Sequence, residues 1–134
     1  MRVVIDTNCF VAIIPKRSIY RPIFDAYRQG RFELAVSTEV LNEYSGIFTK
    51  IMSFEISENI IELILKQPNT LNSEIYYYWN LIAADNDDNK FSDLAISTNS
   101  DFIISLDKHF DILKTIPFPK VQVIGLDEFL AIIS

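Results

Sequence analysis

The chain has 134 residues, 49% of them hydrophobic and 22% charged, with one Cys and a net charge of −6. This length fits one domain over residues 1–134. The composition excludes long disorder and collagen-like repeats, and a lone Cys excludes an internal disulfide or a multi-Cys zinc site.

Val3, Val4 and Ile5 form a β-branched run that ends at Asp6-Thr7-Asn8, which reads as a buried strand stopping at a polar turn. Asp6 interrupts the N-terminal apolar stretch and no small-residue cleavage site follows, so no secretory signal is expected. Residues 9–14 are apolar but far fewer than the roughly 20 that span a membrane. A soluble, cytoplasmic protein is expected, and one Cys suits a reducing compartment.

Residues 19–29 have helical spacing, with Gly30 as a C-terminal cap. Residues 32–36 read as a second strand. Ser37 or Thr38 caps a helix running to about Met52, with an apolar stripe of Val40, Tyr44, Ile47 and Ile51 flanked by Leu41 and Phe48. A further helix is predicted over 57–66 and a loop over 67–73. The aromatic-rich residues 75–84 suit a strand or an irregular segment. Residues 89–97 read as a helix, 102–106 as a buried strand, 108–114 as a short helix, 121–124 as a strand and 126–133 as a terminal helix. Strands alternating with helices argue for an α/β fold with a largely parallel sheet. The strands are apolar throughout, as expected where helices cover both faces.

Ligands bind such sheets outside the carboxyl ends of the strands. Asp6 and Asp107 each follow an apolar strand core. If both strands are parallel and central, the two carboxylates emerge at one edge, where a hard divalent cation takes oxygen ligands. Equally, each Asp could merely end its strand or cap the next helix. On the helix after the second strand, Glu43 lies about 60° from the centre of the apolar stripe. Such a boundary carboxylate either reaches water or needs a partner. Residues 85–93 (Asp-Asn-Asp-Asp-Asn-Lys-Phe-Ser-Asp) are the densest acidic stretch. They fail as a calcium loop, because Lys90 and Ile96 stand where Gly and Glu are required. On the helical wheel Asp93 points away from Phe91, Leu94 and Ala95, and periodicity predicts a solvent-facing side chain.

No Walker loop, dinucleotide fingerprint or nucleophile elbow is present. His109, the one His, has no nucleophile signature beside it and reads as a local cap or surface group. Cys9 opens the apolar stretch and reads as packed. The acidity excludes a generic basic nucleic-acid binder. The charge is uneven, however: residues 1–31 hold six basic and two acidic side chains, and the remainder six and sixteen.

Four segments together resemble the PIN-domain family of metal-dependent ribonucleases, and within it the toxin (VapC-like) components of toxin–antitoxin systems. They are Val4-Ile5-Asp6-Thr7-Asn8, the run from Ser37 through Glu43 to Tyr44, the acidic stretch continuing through Leu94-Ala95-Ile96, and Asp101 through Ser105-Leu106-Asp107. The resemblance implies a three-layer α/β/α PIN-like fold. It implies catalytic and metal-binding roles for Asp6, Glu43, Asp93 and Asp107, with Asp88 a further candidate metal ligand and Asp85 behind it. Asn8 and Ser105 would support the site through hydrogen bonds. Mg²⁺ or Mn²⁺ would be the cofactor, and RNA hydrolysis would leave a 3′-hydroxyl and a 5′-phosphate. Lys16, Arg17, Arg21, Lys90 and Lys108 are candidate RNA contacts.

A protein antitoxin and a second copy of the chain are the implied partners, with Phe10, Tyr20 and Phe24 as candidate contact points that suit the core equally well. Ser105-Leu106-Asp107 departs from the common Thr at the fourth motif but keeps a hydroxyl. The alternative is a catalytically inert PIN scaffold that binds protein or RNA. A phospho-accepting receiver is disfavoured by the single acid at the first strand. A haloacid-dehalogenase-like phosphatase is disfavoured because Asn8 stands where the second Asp would be.

Overall fold

The computed structural model describes residues 1–83 and 85–134, with Asn86 described for its backbone alone. A five-stranded sheet runs in the order β3-β2-β1-β4-β5, and every neighbouring pair is parallel. The strands are β1 (Arg2–Ile5), β2 (Glu33–Val36), β3 (Thr70–Asn72), β4 (Phe102–Ile104) and β5 (Val123–Ile124). Central β1 is flanked on both sides, so Val3, Val4 and Ile5 are buried and no backbone group of the run faces water. Helices α1 (Thr7–Ile13), α2 (Arg21–Arg28), α3 (Thr38–Ile51), α4 (Phe54–Lys66), α5 (Asn89–Ser97) and α6 (Leu126–Ile133) flank the sheet in three layers. α2 packs on α1 and α6. α3 packs on α4, and α5 lies against β1, β2 and β4.

Most elements match the sequence reading, and the exceptions have physical causes. The apolar residues 9–14 lie largely in α1, which begins because the Asp6 side chain accepts from the Cys9 N–H at 2.9 Å. α4 starts three residues before the expected 57. The Ser53 hydroxyl caps it by accepting from the Ile56 N–H at 3.1 Å, while Ser57 is buried and donates to the Ser45 carbonyl. Strand β3 falls inside the expected loop 67–73. It is a short, polar edge strand, registered by pairing with β2 and carrying little hydrophobic signal of its own. Residues 75–83 are irregular, and residue 84 lies outside the described residues. The 108–114 segment is a 3-10 helix, Lys108–Thr115.

The buried line of α3 is Val40, Tyr44 and Phe48, not the expected stripe through Ile51, which is 57% exposed. The helix is rotated because Tyr44 is anchored. Its hydroxyl donates to the Ile5 carbonyl at the end of β1, and its ring packs on Phe10 and Phe48 with centroids 5.0 and 5.6 Å apart. Phe10 and Phe24, proposed as partner contacts, are core residues. Tyr20 stays half-exposed, its hydroxyl donating to Asp127 at 2.9 Å.

Candidate active site

Because all five strands are parallel, β1, β2 and β4 end at one edge of the sheet. Asp6, Ser37, Ser105 and Asp107 follow those ends directly or within three residues. α3 rises from this edge, capped by the Ser37 hydroxyl, and the Tyr44 anchor places the preceding Glu43 at the same edge. α5 also starts here, so the Asp85–Asp88 turn joins the group. One pocket of about 250 Å³ is lined by Asp6, Thr7, Asn8, Glu43, Asp85, Asp87, Asp88 and Asp107, with Ile47 and Phe91 at its apolar side.

The hydrogen bonds show how each acid is held. Asp6 is buried, accepting from the Cys9 N–H on one oxygen and from the Ser105 hydroxyl on the other. Ser105 in turn accepts from the Asp107 N–H at 3.0 Å, so one hydroxyl ties two site acids together. Asp107 caps the 3-10 helix by accepting from the His109 N–H at 2.9 Å. Glu43 accepts from the Thr7 hydroxyl and pairs with the Lys90 ammonium at 2.8 Å. Asp88 lies 3.0 Å from His109 Nδ1, which is also 3.5 Å from Asp107 and 3.9 Å from Asp85.

Burial pushes the Asp6 carboxyl above its ordinary range, the Ser105 and Cys9 hydrogen bonds oppose this, and repulsion from Asp107 adds to it. Asp88 is likewise raised, first by burial and then by Asp107 and Asp85, with His109 opposing. His109 is raised by its hydrogen bond to Asp88 and by the charge of Asp107. The Cys9 thiol is pushed up by burial and by Asp6, which suits a packed, unreactive Cys.

Asp93 does not join this pocket, and it does not face solvent either. It is 1% exposed and accepts from the Trp79 N–H at 2.9 Å, which pins the irregular segment 75–83 to α5. The wheel reading failed because it counted only the helix's own apolar residues, and a non-helical segment covers the polar side of α5. Asn89 does the same from the first turn, its side-chain amide bonding both the N–H and the carbonyl of Ile82. Asp88 occupies the place at the pocket that the motif reading gave to Asp93.

Among the supporting residues, Ser105 makes the expected contact and Asn8 lines the pocket exposed. Thr7 and His109 are contacts that the sequence reading missed. A polar residue beside a candidate acid is the only signal either of them carried.

The basic candidates divide. Arg21 is committed internally: it pairs with Asp25 at 3.0 Å, donates to the Ile14 carbonyl, and lies over the Phe24 ring. Lys90 is half-buried against Glu43. Lys16, Arg17 and Lys108 are exposed, and no ion pair among the described residues engages them.

The donor set suits a hard divalent cation. Several carboxylates meet in one open pocket, Asp6 and Asp88 are each pushed up by burial and by the charge of Asp107, and the arrangement offers oxygen ligands and room for water. Asp85, Asp88 and His109 alone bring three ligand atoms within 4.8 Å of one another.

A family model described as the PIN domain matches residues 2–109. The chain belongs to the PIN-domain family. The solved structures agree on the PIN fold. The chain is similar to a chain of the VapBC2 complex from Rickettsia felis, solved bound to a DNA fragment from its promoter, with 18% identity and a TM-score of 0.65. That likeness covers 93% of this chain and 98% of the other. It is similar to a chain of VapBC-1 from nontypeable Haemophilus influenzae, with 17% identity, a TM-score of 0.62, and 95% and 99% covered. A chain of the DNA-bound VapBC from Salmonella typhimurium follows, with 11% identity, a TM-score of 0.58, and 94% and 98% covered. None of the curated proteins matches this PIN chain. No helix among its described residues is long and apolar enough to cross a membrane.

Proposed function

We propose that the protein is a metal-dependent endoribonuclease acting in the cytoplasm as the toxin of a toxin–antitoxin pair. The observation that carries this reading is the convergence of Asp6, Glu43, Asp88 and Asp107 at one pocket on the sheet's carboxyl edge. These four carboxylates would hold Mg²⁺ or Mn²⁺, with Asp85 and His109, whose ligand atoms lie within 4.8 Å of that of Asp88, as further ligands; Asp93 is left with a structural role. A divalent ion bound there lowers the pKa of a coordinated water and offsets charge on the scissile phosphate. The chain's own residues supply the rest. Ser105 holds Asp6 and the Asp107 backbone in one geometry, and Thr7 does the same for Glu43. Lys90 neutralises Glu43 until a cation competes for it. Exposed Lys16, Arg17 and Lys108 are the side chains available to an RNA backbone.

The likeness to chains of VapBC complexes supports a protein antitoxin as partner, and the family resemblance supports a homodimer. One observation favours the second reading, an inert PIN scaffold: Thr7 and Lys90 satisfy Glu43 without a metal ion.

The test is cleavage of mixed structured and single-stranded RNAs with Mg²⁺, Mn²⁺ or EDTA, comparing wild type with Asp6→Asn. Cleavage should require metal and be lost in Asp6→Asn by at least about a hundredfold. A folded wild type that cleaves nothing would move the weight to the scaffold.

A further inference from the structure

A second hollow, also of about 250 Å³, adjoins the carboxylate pocket and shares Asp6, Asn8 and Asp107 with it. Its remaining walls are Cys9 and Ala12 from α1, Leu106 from the turn after β4, and Leu126 from the first turn of α6. None of these four is charged. Leu106 stands between two site residues and is 67% exposed, an unusual place for a large apolar side chain. It is accommodated by Gly125, where a Cβ would lie 2.9 Å from a Leu106 methyl. Leu106 and Asp107 also border a third hollow that Lys108 lines.

A nucleotide chain has three kinds of part to offer such a hollow. A phosphate finds no basic side chain here, and a metal held by Asp6 and Asp107 would draw it to the carboxylate side, away from the walls of Cys9, Ala12, Leu106 and Leu126. A ribose is puckered and carries hydroxyls over much of its surface, so it presents no flat apolar face to the walls of Cys9, Ala12, Leu106 and Leu126. A nucleobase is neutral and flat with apolar faces, and the Asn8 amide at the rim offers both a donor and an acceptor to its edge. The volume lies below the roughly 300 Å³ at which drug-sized pockets begin, which suits one ring system.

Resting on the nuclease reading above, we propose that this hollow seats the nucleobase beside the scissile phosphate, and that Ala12, Leu106 and Leu126 determine which bases are accepted. The backbone would then run from the carboxylate pocket past the seated base towards Lys108.

The test has two arms on the full chain. In the first, cuts are mapped across a random-sequence RNA pool with Mg²⁺ or Mn²⁺ for wild type, Ala12→Leu and Leu106→Ala. Wild type should favour particular bases at one position next to the cut. Ala12→Leu, which narrows the hollow, should lower cleavage about tenfold for purines there and less for pyrimidines. Leu106→Ala, at an exposed position that tolerates truncation, should relax the preference. In the second arm, a single-stranded phosphorothioate RNA oligonucleotide is titrated with Mg²⁺ present, with one abasic residue moved along it. One abasic position should weaken binding to wild type about tenfold and binding to Ala12→Leu much less.

A wild type that cleaves with no base preference, together with a flat abasic scan, overturns the proposal and leaves the nuclease standing. A wild type that cleaves nothing removes the nuclease reading and, with it, the scissile phosphate beside which the base is seated, so both fall together. Movement of the Leu106 and Leu126 methyl resonances with a protein partner but not with RNA would assign the hollow to an apolar side chain and overturn the proposal.

Discussion

Asp93 and Asp88 show how little separates a structural from a functional carboxylate. They lie five residues apart in one acidic stretch. Asp93 is buried and its carboxyl is raised, first by that burial and then by the charge of Glu39, against hydrogen bonds from the Trp79 and Asn80 backbone. A carboxyl raised on folding binds more protons folded than unfolded, so its contribution falls as pH rises from the ordinary carboxylate value through the raised one. Asp93→Asn removes that charge and keeps an acceptor for Trp79. Its stability should therefore gain on wild type between about pH 4 and pH 7, read by urea denaturation at both values. Asp93→Ala leaves the Trp79 N–H unpaired and should cost about 1–3 kcal/mol. Asp88→Asn should leave stability near wild type and abolish cleavage, whereas Asp93→Asn should retain it. The reverse outcome would return Asp93 to the site.

α3 is the element that converts packing into site geometry. Its N-terminus is fixed by Ser37, and its rotation by the Tyr44 hydroxyl on the Ile5 carbonyl, one residue before Asp6. Glu43 precedes Tyr44, so the anchor also aims the acid. Tyr44→Phe keeps the ring against Phe10 and Phe48 but leaves the buried carbonyl short of a donor. It should cost about 1–2 kcal/mol by chemical denaturation, and any loss of metal affinity beyond this would report on the aim of Glu43. The segmentation of α3 could be read from spacing alone. Its rotation could not, because Val40, Leu41, Tyr44, Ile47, Phe48 and Ile51 cover more of the helix than one face can bury, and a polar atom made the choice. The start of α4 has the same character: two serines could cap it, and only packing against Ser45 shows that Ser57 is spent elsewhere.

At the scale of the molecule, the parallel sheet gathers acids from β1, α3, the turn before α5 and the end of β4 into one pocket, and like charges crowd there. Folding must hold them together against their repulsion, so a divalent cation that binds only the folded state should stabilise it. Millimolar Mg²⁺ or Mn²⁺ should raise the Tm by roughly 5 °C, and EDTA should reverse the shift. Asp107→Asn should blunt the response. An unchanged Tm in wild type would argue that Lys90 and His109 already balance the pocket.

The α/β class, the parallel sheet, the order of most elements and the identity of Asp6, Glu43 and Asp107 as candidates were all legible in the chain, because β-branched runs, caps and strand-end acids are local signals. The tertiary structure alone decided which other acid reaches the pocket, which basic residues remain free, and that Thr7 joins Ser105 in bracing the acids. Asp93 and Lys90 were each diverted by a partner distant in sequence (Trp79 and Glu43), and Arg21 by its own helix and the chain just before it (Asp25, Phe24 and Ile14). Periodicity reports which side of an element is apolar, and it carries no information about what the rest of the chain lays against the polar side.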